Sequence, residues 1–317
     1  MCLDKPNEPP IDYVIDDYQH GLIDRRQFLR RASAILGLAA ATALVEACAP
    51  ATQTTPAAPQ APAPAKSAAG AAPAVPAYGT VAPDIPDLVT QDVKFPGDGF
   101  EMSGYMARPK DGTSFPAIVV IHENRGLTDH IKDVARRYAR AGFVALAPDL
   151  LSRSGGTGKF PQQQDATAAI GQLKQDDVIK DLTSTVNYLK TLDTVKGNKV
   201  GVVGFCWGGG NSLLLAVRDP DISAAVTYYG VNPQNLDEVK NMKAAFLGLY
   251  GGTDQRITSG VPALEAKLKE AGKVYETKVY DGAGHAFNND TGPSYNPAAA
   301  KDAYEKSVAW FNKYLRA

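Results

Sequence analysis

The spacing of apolar and polar residues changes twice along the chain. Residues 89–95 and 101–107 are alternating or rich in β-favouring side chains, with Pro96-Gly97-Asp98-Gly99 between them. Two such runs around a Pro/Gly turn predict a β-hairpin. Later runs are compact and apolar throughout: residues 117–121, 143–147, 199–204, 224–229, 245–250 and 274–280. Runs apolar on both faces suit strands of a buried parallel sheet. Between them the period lengthens. Residues 131–140 set Val134 and Tyr138, with Ala141, at helical spacing, and residues 178–192 set Ile179, Leu182, Val186 and Leu189 on one stripe. Residues 209–217, 261–271 and 297–315 read as further helices. Alternating strands and helices predict an α/β domain: a mostly parallel central sheet, helices on both faces, and an N-terminal antiparallel hairpin. Open sheets of this kind place their chemistry beyond the carboxyl ends of the strands.

Residues 1–79 break the pattern, so the expected domain spans residues 80–317. Asp24-Arg25-Arg26-Gln27-Phe28-Leu29-Arg30-Arg31 precedes the longest apolar stretch, the 14 residues 32–45. That is short of the about 20 residues a membrane span needs. A basic segment before a mild apolar one is the pattern of an export signal, and the paired arginines with Phe28 and Leu29 resemble a twin-arginine signal. Such a signal is read by the twin-arginine export machinery and is no anchor in itself. It implies a periplasmic or otherwise extracytoplasmic protein. The alternative is a basic amphipathic helix of the folded chain. Ala47-Cys48-Ala49 fits a small-residue cleavage site, while Val45-Glu46-Ala47-Cys48 loosely resembles a lipoprotein box in which Glu46 is a poor match. Membrane contact is expected only if Cys48 is lipidated. The export segment is thus residues 1–48. Residues 49–79 hold 13 Ala and 7 Pro with Lys66 the lone charge, which reads as a semi-extended linker.

Composition narrows the function. Lys plus Arg is 33 and Asp plus Glu 34 of 317 residues, a net charge of −1, so no basic excess exists for a nucleic-acid partner. The three cysteines, Cys2, Cys48 and Cys206, exclude a disulfide-rich scaffold. The domain's histidines, His122, His130 and His285, offer no i, i+4 pair of the zincin kind, and no metal is expected. The glycine turn at 204–210 does not match a dinucleotide-binding signature. No cofactor is expected.

The strand ends carry a different chemistry. After residues 199–203 comes Gly204-Phe205-Cys206-Trp207-Gly208-Gly209-Gly210. This G-x-C-x-G between strand and helix is a nucleophile elbow with Cys in the usual Ser position. The glycines permit the close backbone approach of a sharp turn. Cys206 would then stand at a helix N-terminus, where the dipole and free N–H groups favour thiolate. Asp254 follows the apolar run at 245–250 and His285 follows the run at 274–280. Nucleophile, acid, histidine, each past a strand's carboxyl end, is the order of the α/β-hydrolase fold. Such an enzyme needs two oxyanion N–H donors. Trp207, directly after the nucleophile, and Asn124, in the loop His122-Glu123-Asn124-Arg125-Gly126 after residues 118–121, are the candidates.

The chain resembles the dienelactone hydrolase family. The motifs are His122-Glu123-x-x-Gly126, Pro148-Asp149-Leu150, Gly204-Phe205-Cys206-Trp207-Gly208-Gly209, Tyr228-Tyr229-Gly230, Gly251-Gly252-x-Asp254 and Gly284-His285-x-Phe287, and the likeness runs from about residue 88 to the end. It implies hydrolysis of a small-molecule lactone or other carboxylic ester through Cys206, His285 and Asp254, with Glu123 contacting the thiol and helping to form thiolate. One departure matters. The family's enzymes hold a substrate carboxylate with two arginines; this chain has Asn289 four residues after His285, and no arginine in residues 160–167. An acidic dienelactone is therefore not the expected substrate. Arg125, Arg153 and Arg256 lie on strand-end loops as possible substitutes, and Tyr228 is a candidate pocket residue. Two other functions fit the same residues: a catalytically silent binding protein, and a redox thiol, which would lack a resolving cysteine in the domain.

Overall fold

The computed structural model describes Val14, residues 25–36 and residues 76–316. The chain divides into two units, Met1–Ala74 and Val75–Ala317. In the first, helix α1 (Arg25–Leu36) carries the paired arginines, with Phe28 and Ala32, one turn apart, both buried. Cys48 and linker residues 49–75 lie outside the described residues. Among those described, no helix is long and apolar enough to cross a membrane.

The second unit is built on eight strands: β1 (Leu88–Pro96), β2 (Glu101–Pro109), β3 (Phe115–Ile121), β4 (Val144–Pro148), β5 (Val195–Phe205), β6 (Ile222–Tyr228), β7 (Ala245–Gly251) and β8 (Tyr275–Tyr280). They form one sheet in the order β1-β2-β4-β3-β5-β6-β7-β8. The hairpin β1–β2 and the pair β2–β4 are antiparallel, and the remaining pairs are parallel. The helices are α2 (Asp129–Arg140), α3 (Gln163–Gly171), α4 (Gln175–Lys190), α5 (Trp207–Arg218), α6 (Gln255–Thr258), α7 (Val261–Glu270) and α8 (Pro297–Leu315).

The unbroken apolar runs now have their explanation. Successive strand side chains point to opposite faces. Ile118 and Val120 join Val134 and Tyr138 of α2 and Phe311 of α8 in one core. Val119 and Ile121 join Leu182 and Val186 of α4, Leu215 of α5 and Leu264 of α7 in the other. A strand clothed on both faces needs apolar residues at every position.

Three elements differ from expectation. Helix α3 falls in a stretch where the sequence pattern predicts no helix; its buried stripe is only Ala166, Thr167 and Ile170, too small to register as a period. Strand β8 is the sheet edge, not a buried strand, and Val279 on it and Val274 just before it are exposed. Tyr78, placed by composition in the linker, packs its ring 5.4 Å from that of Tyr304, under the guanidinium of Arg137. Three residues on, the backbone of Val81 bonds Asp133 Oδ1 (2.7 Å) and Arg136 Nε (2.6 Å). Alanine and proline flank Tyr78 in sequence, and one aromatic ring outweighs them.

Candidate active site

Cys206 sits between β5 and α5 at φ 55° and ψ −117°. L-residues rarely adopt this conformation, and it persists only where the surroundings enforce it. Here the backbone does so. The Cys206 N–H donates to the Tyr228 carbonyl at 3.1 Å, and the Cys206 carbonyl accepts from the N–H groups of Gly209 (2.9 Å) and Gly210 (3.2 Å). A Cβ on Gly204 would stand 1.9 Å from the Gly208 carbonyl oxygen, and one on Gly208 would stand 2.3 Å from that of His122. The turn is therefore tight against itself and against the loop that follows β3. Trp207 is the first residue of α5, so its N–H has no acceptor within the helix.

Asp254 follows β7 and His285 follows β8. His285 Nδ1 lies 2.6 Å from Asp254 Oδ2, and both residues are buried. The N–H and hydroxyl of Thr253 both donate to the Ala283 carbonyl at 3.0 Å, lacing the two loops together. A carboxylate so placed fixes the ring's orientation and its tautomer.

The loop after β3 is anchored by His122. Its Nε2 accepts from the Leu150 N–H at 3.2 Å, so Nδ1 carries the proton and donates to the Glu123 carbonyl at 2.6 Å. Burial lowers the pKa of His122 and keeps the ring neutral. The ring stacks on Trp207, centroids 5.6 Å apart. Asn124 is buried beside it, with no partner for its Nδ2. The Glu123 carboxylate accepts from Asn289 Nδ2 at 2.8 Å. Asn289 Oδ1 in turn accepts from the Thr291 N–H (3.0 Å) and hydroxyl (2.7 Å), which fixes how the amide faces.

A cavity of about 380 Å³ adjoins this loop. Its wall includes Glu123, Arg125, His130, Thr157, Gln163 and Asn289, and nine of its twelve lining residues are polar or charged. Its far wall is held by Asp149, whose carboxylate accepts from the N–H groups of Leu151 (3.0 Å) and Thr157 (2.7 Å) and from the Thr157 hydroxyl (2.8 Å). The same hydroxyl accepts from the Leu127 N–H at 2.9 Å, joining the loops after β3 and β4. Cys206, Asp254 and His285 are not among the lining residues.

Of the residues expected to touch substrate, the structure brings Arg125 and Asn289 to this cavity and not the others. With its amide oxygen turned toward the guanidinium, Gln163 accepts from Arg125 Nη1 at 2.8 Å. Arg153 instead forms a two-pronged pair with Asp181 (2.9 and 2.8 Å) and lies over the Phe100 ring. Arg256 is exposed on α6 and outside the cavity wall. Tyr228 is a core residue: its hydroxyl pairs with Ser307 Oγ at 2.8 Å and its ring stacks on Phe205. The residue that sequence reasoning missed is its neighbour. Tyr229 is fully buried, its ring 5.0 Å from that of His285, and its hydroxyl has no partner. Burial first, then the nearby charges of Glu123 and Cys206, push its pKa well above the ordinary phenol value. Strand β6 ends at Tyr228, so the rule that chemistry lies just past a strand end selects Tyr229.

The sheet order, the elbow and the strand-end loops define a hydrolase of the α/β-hydrolase fold. A crystal structure described as "Putative Dienelactone Hydrolase" from Klebsiella pneumoniae superposes with TM-score 0.67 at 30% identity, over 72% of this chain and 99% of that one. Residues 102–315 match the dienelactone hydrolase family. A "Putative carboxymethylenebutenolidase" of Methylorubrum extorquens is 35% identical over 246 residues, covering 74% of this chain and 84% of that protein. A protein of the same description in Escherichia coli K12 is 33% identical over 239 residues, covering 72% and 88%. The chain belongs to the dienelactone hydrolase family and is a lactone or ester hydrolase of that type.

Proposed function

We propose that this protein is an exported enzyme that opens a lactone or cleaves another carboxylic ester through a thioester on Cys206. The observation that carries this reading is the strained φ of 55° at Cys206, held on a strand-to-helix turn. His285 takes the thiol proton, and the thiolate adds to the carbonyl carbon. The N–H groups of Trp207 and Asn124 meet the charge that develops on the carbonyl oxygen. Collapse breaks the acyl C–O bond, and the departing alkoxide takes the proton from His285. Water then gives a proton to His285 and attacks the thioester, which releases the acid and restores the thiol. Asp254, 2.6 Å from Nδ1, holds the ring for both transfers.

Glu123 is assigned to assist ionisation of the thiol as a proton acceptor, a reading supported by the packing of its loop against the Cys206 turn at Gly208. Asn289 commits its donor to Glu123 at 2.8 Å, which leaves Arg125 as the cation of the cavity. Because Asn289 carries no charge and Gln163 occupies the Arg125 guanidinium, a neutral lactone is turned over at least as well as a matched carboxylate-bearing one. A panel of neutral and charged lactones and aryl esters, run with wild type and Cys206→Ala, tests both points. Loss of all turnover in the folded variant is expected. A strong preference for the acids would instead make Arg125 a dominant anchor. Export rests on the Arg25-Arg26 pair: changing both to Lys is expected to retain the protein in the cytoplasm, and unchanged secretion would overturn it.

A further inference from the structure

The turn that carries His285 is strained, and its supports divide between two sides. Ala286, directly after the histidine, adopts φ 60°, a left-handed conformation that a non-glycine residue keeps only where its surroundings enforce it. Two backbone bonds act within the segment: the Asn289 N–H donates to the Ala286 carbonyl at 2.9 Å, and the Asn296 N–H donates to the Phe287 carbonyl at 3.0 Å. In front, His285 Nδ1 meets Asp254 and Asn289 Nδ2 donates to Glu123. Those partners belong to the reacting cluster, in which the proposed chemistry moves protons. A constant support has to come from the other side.

The back of the turn is held by residues 78–81, which precede the stretch that matches the family. The Tyr78 hydroxyl is shared between the carbonyl oxygen of Asn288 at 3.2 Å and its side-chain oxygen at 3.4 Å, and Asn288 is buried. The Thr80 hydroxyl donates to Asp290 Oδ2 at 3.2 Å, and Arg137 Nη2, beneath the Tyr78 ring, donates to the same oxygen at 2.5 Å. Contacts thus alternate along the turn: residues 285 and 289 face the reacting cluster, and residues 288 and 290 face the N-terminal segment. That segment cannot slide, because the Val81 N–H and carbonyl are fixed to Asp133 and Arg136 of α2. Water competes for the exposed Thr80 bond, whereas Tyr78 reaches a buried residue from a fixed point.

We infer that Tyr78 is a positioning residue: by holding Asn288 from behind, it keeps His285 and Asn289 aligned on Cys206 and Glu123. The inference rests on the Cys206 chemistry proposed above. Tyr78→Phe in the full chain deletes the hydroxyl and keeps the ring. In this variant kcat on a neutral lactone is expected to fall about fivefold, the worth of one hydrogen bond, with a smaller change in KM. Tyr304→Phe is the matched control. It deletes a hydroxyl of the same aromatic group, one that bonds the Arg137 carbonyl at 2.9 Å and not the turn, and it should keep the wild-type kcat. Wild-type kcat in Tyr78→Phe, or an equal kcat loss in both variants, would overturn the assignment. A second readout does not depend on turnover. By NMR, hydrogen exchange of the Asn289 N–H should quicken about fivefold in Tyr78→Phe and stay unchanged in Tyr304→Phe. Unchanged exchange in Tyr78→Phe, or the same acceleration in both, would contradict the proposal. If wild type hydrolyses no lactone or ester, the hydrolase reading fails, and the exchange result still decides whether Tyr78 holds the turn.

Discussion

On one side of the site, the turn around Cys206 is fixed by backbone against backbone. On the other, the loops after β3 and β4 that wall the cavity are fixed by side chains. Around Cys206 the close approaches run from Gly204 to the Gly208 carbonyl and from Gly208 to that of His122, and no side chain fits between. Around the cavity, Asp149, Thr157, His122 and Asn289 do the holding through individual hydrogen bonds. The first arrangement admits almost no change of sequence. The second can exchange partners one bond at a time. With the chemistry proposed, the difference separates what a family's reaction demands from what a substrate's shape demands.

The largest expected effect breaks the rigid side. Gly204→Ala places a methyl 1.9 Å from a backbone oxygen, where only movement of the strand–helix turn relieves the clash. A loss of about 3 kcal/mol or more is expected by denaturant titration. A variant within about 0.5 kcal/mol of wild type would show that the turn is not tightly packed.

Next comes the laced pair of loops between the two sides. Asp254→Asn keeps the shape but replaces the acceptor at His285 Nδ1 with an amide that can present a donor, which favours the wrong tautomer. With the chemistry proposed, kcat falls by on the order of 10³ or more with little change in melting temperature. A fall in stability with activity kept per folded molecule would make the pair structural only.

The smallest effect belongs to the adaptable side. Thr157→Val deletes the hydroxyl that bonds Asp149 at 2.8 Å and the Leu127 N–H at 2.9 Å. About 2 kcal/mol of stability is at stake, at roughly 1 per bond. KM for lactones should rise more than kcat falls, because the cavity wall loosens while the elbow stays. A kcat loss without a KM change would mean that this loop positions the reacting groups themselves.

Much of this was legible in the sequence for reasons the structure makes plain. Buried strands expose their type because both faces need apolar residues, and Gly204-x-Cys206-x-Gly208 is visible because no other residues fit the turn. The cavity side was harder to read. Arg153 finds Asp181, 28 residues away, and only the packing of α4 beside the loop after β4 brings them together. Tyr228 and Tyr229 differ by one position and both rings lie in the core, yet the strand ends between them and only the Tyr229 ring also meets His285. Helix α3, which supplies Gln163 to Arg125, has too few large apolar residues to announce itself.

The central claim is that Cys206 carries the acyl group. Mixing the protein with an activated aryl ester and quenching at short times should give a mass increase equal to one acyl group. Peptide mapping should place it on Cys206, and the folded Cys206→Ala variant should show neither the adduct nor turnover. Turnover at the wild-type rate in that variant, or an acyl group on any other residue, would contradict the account.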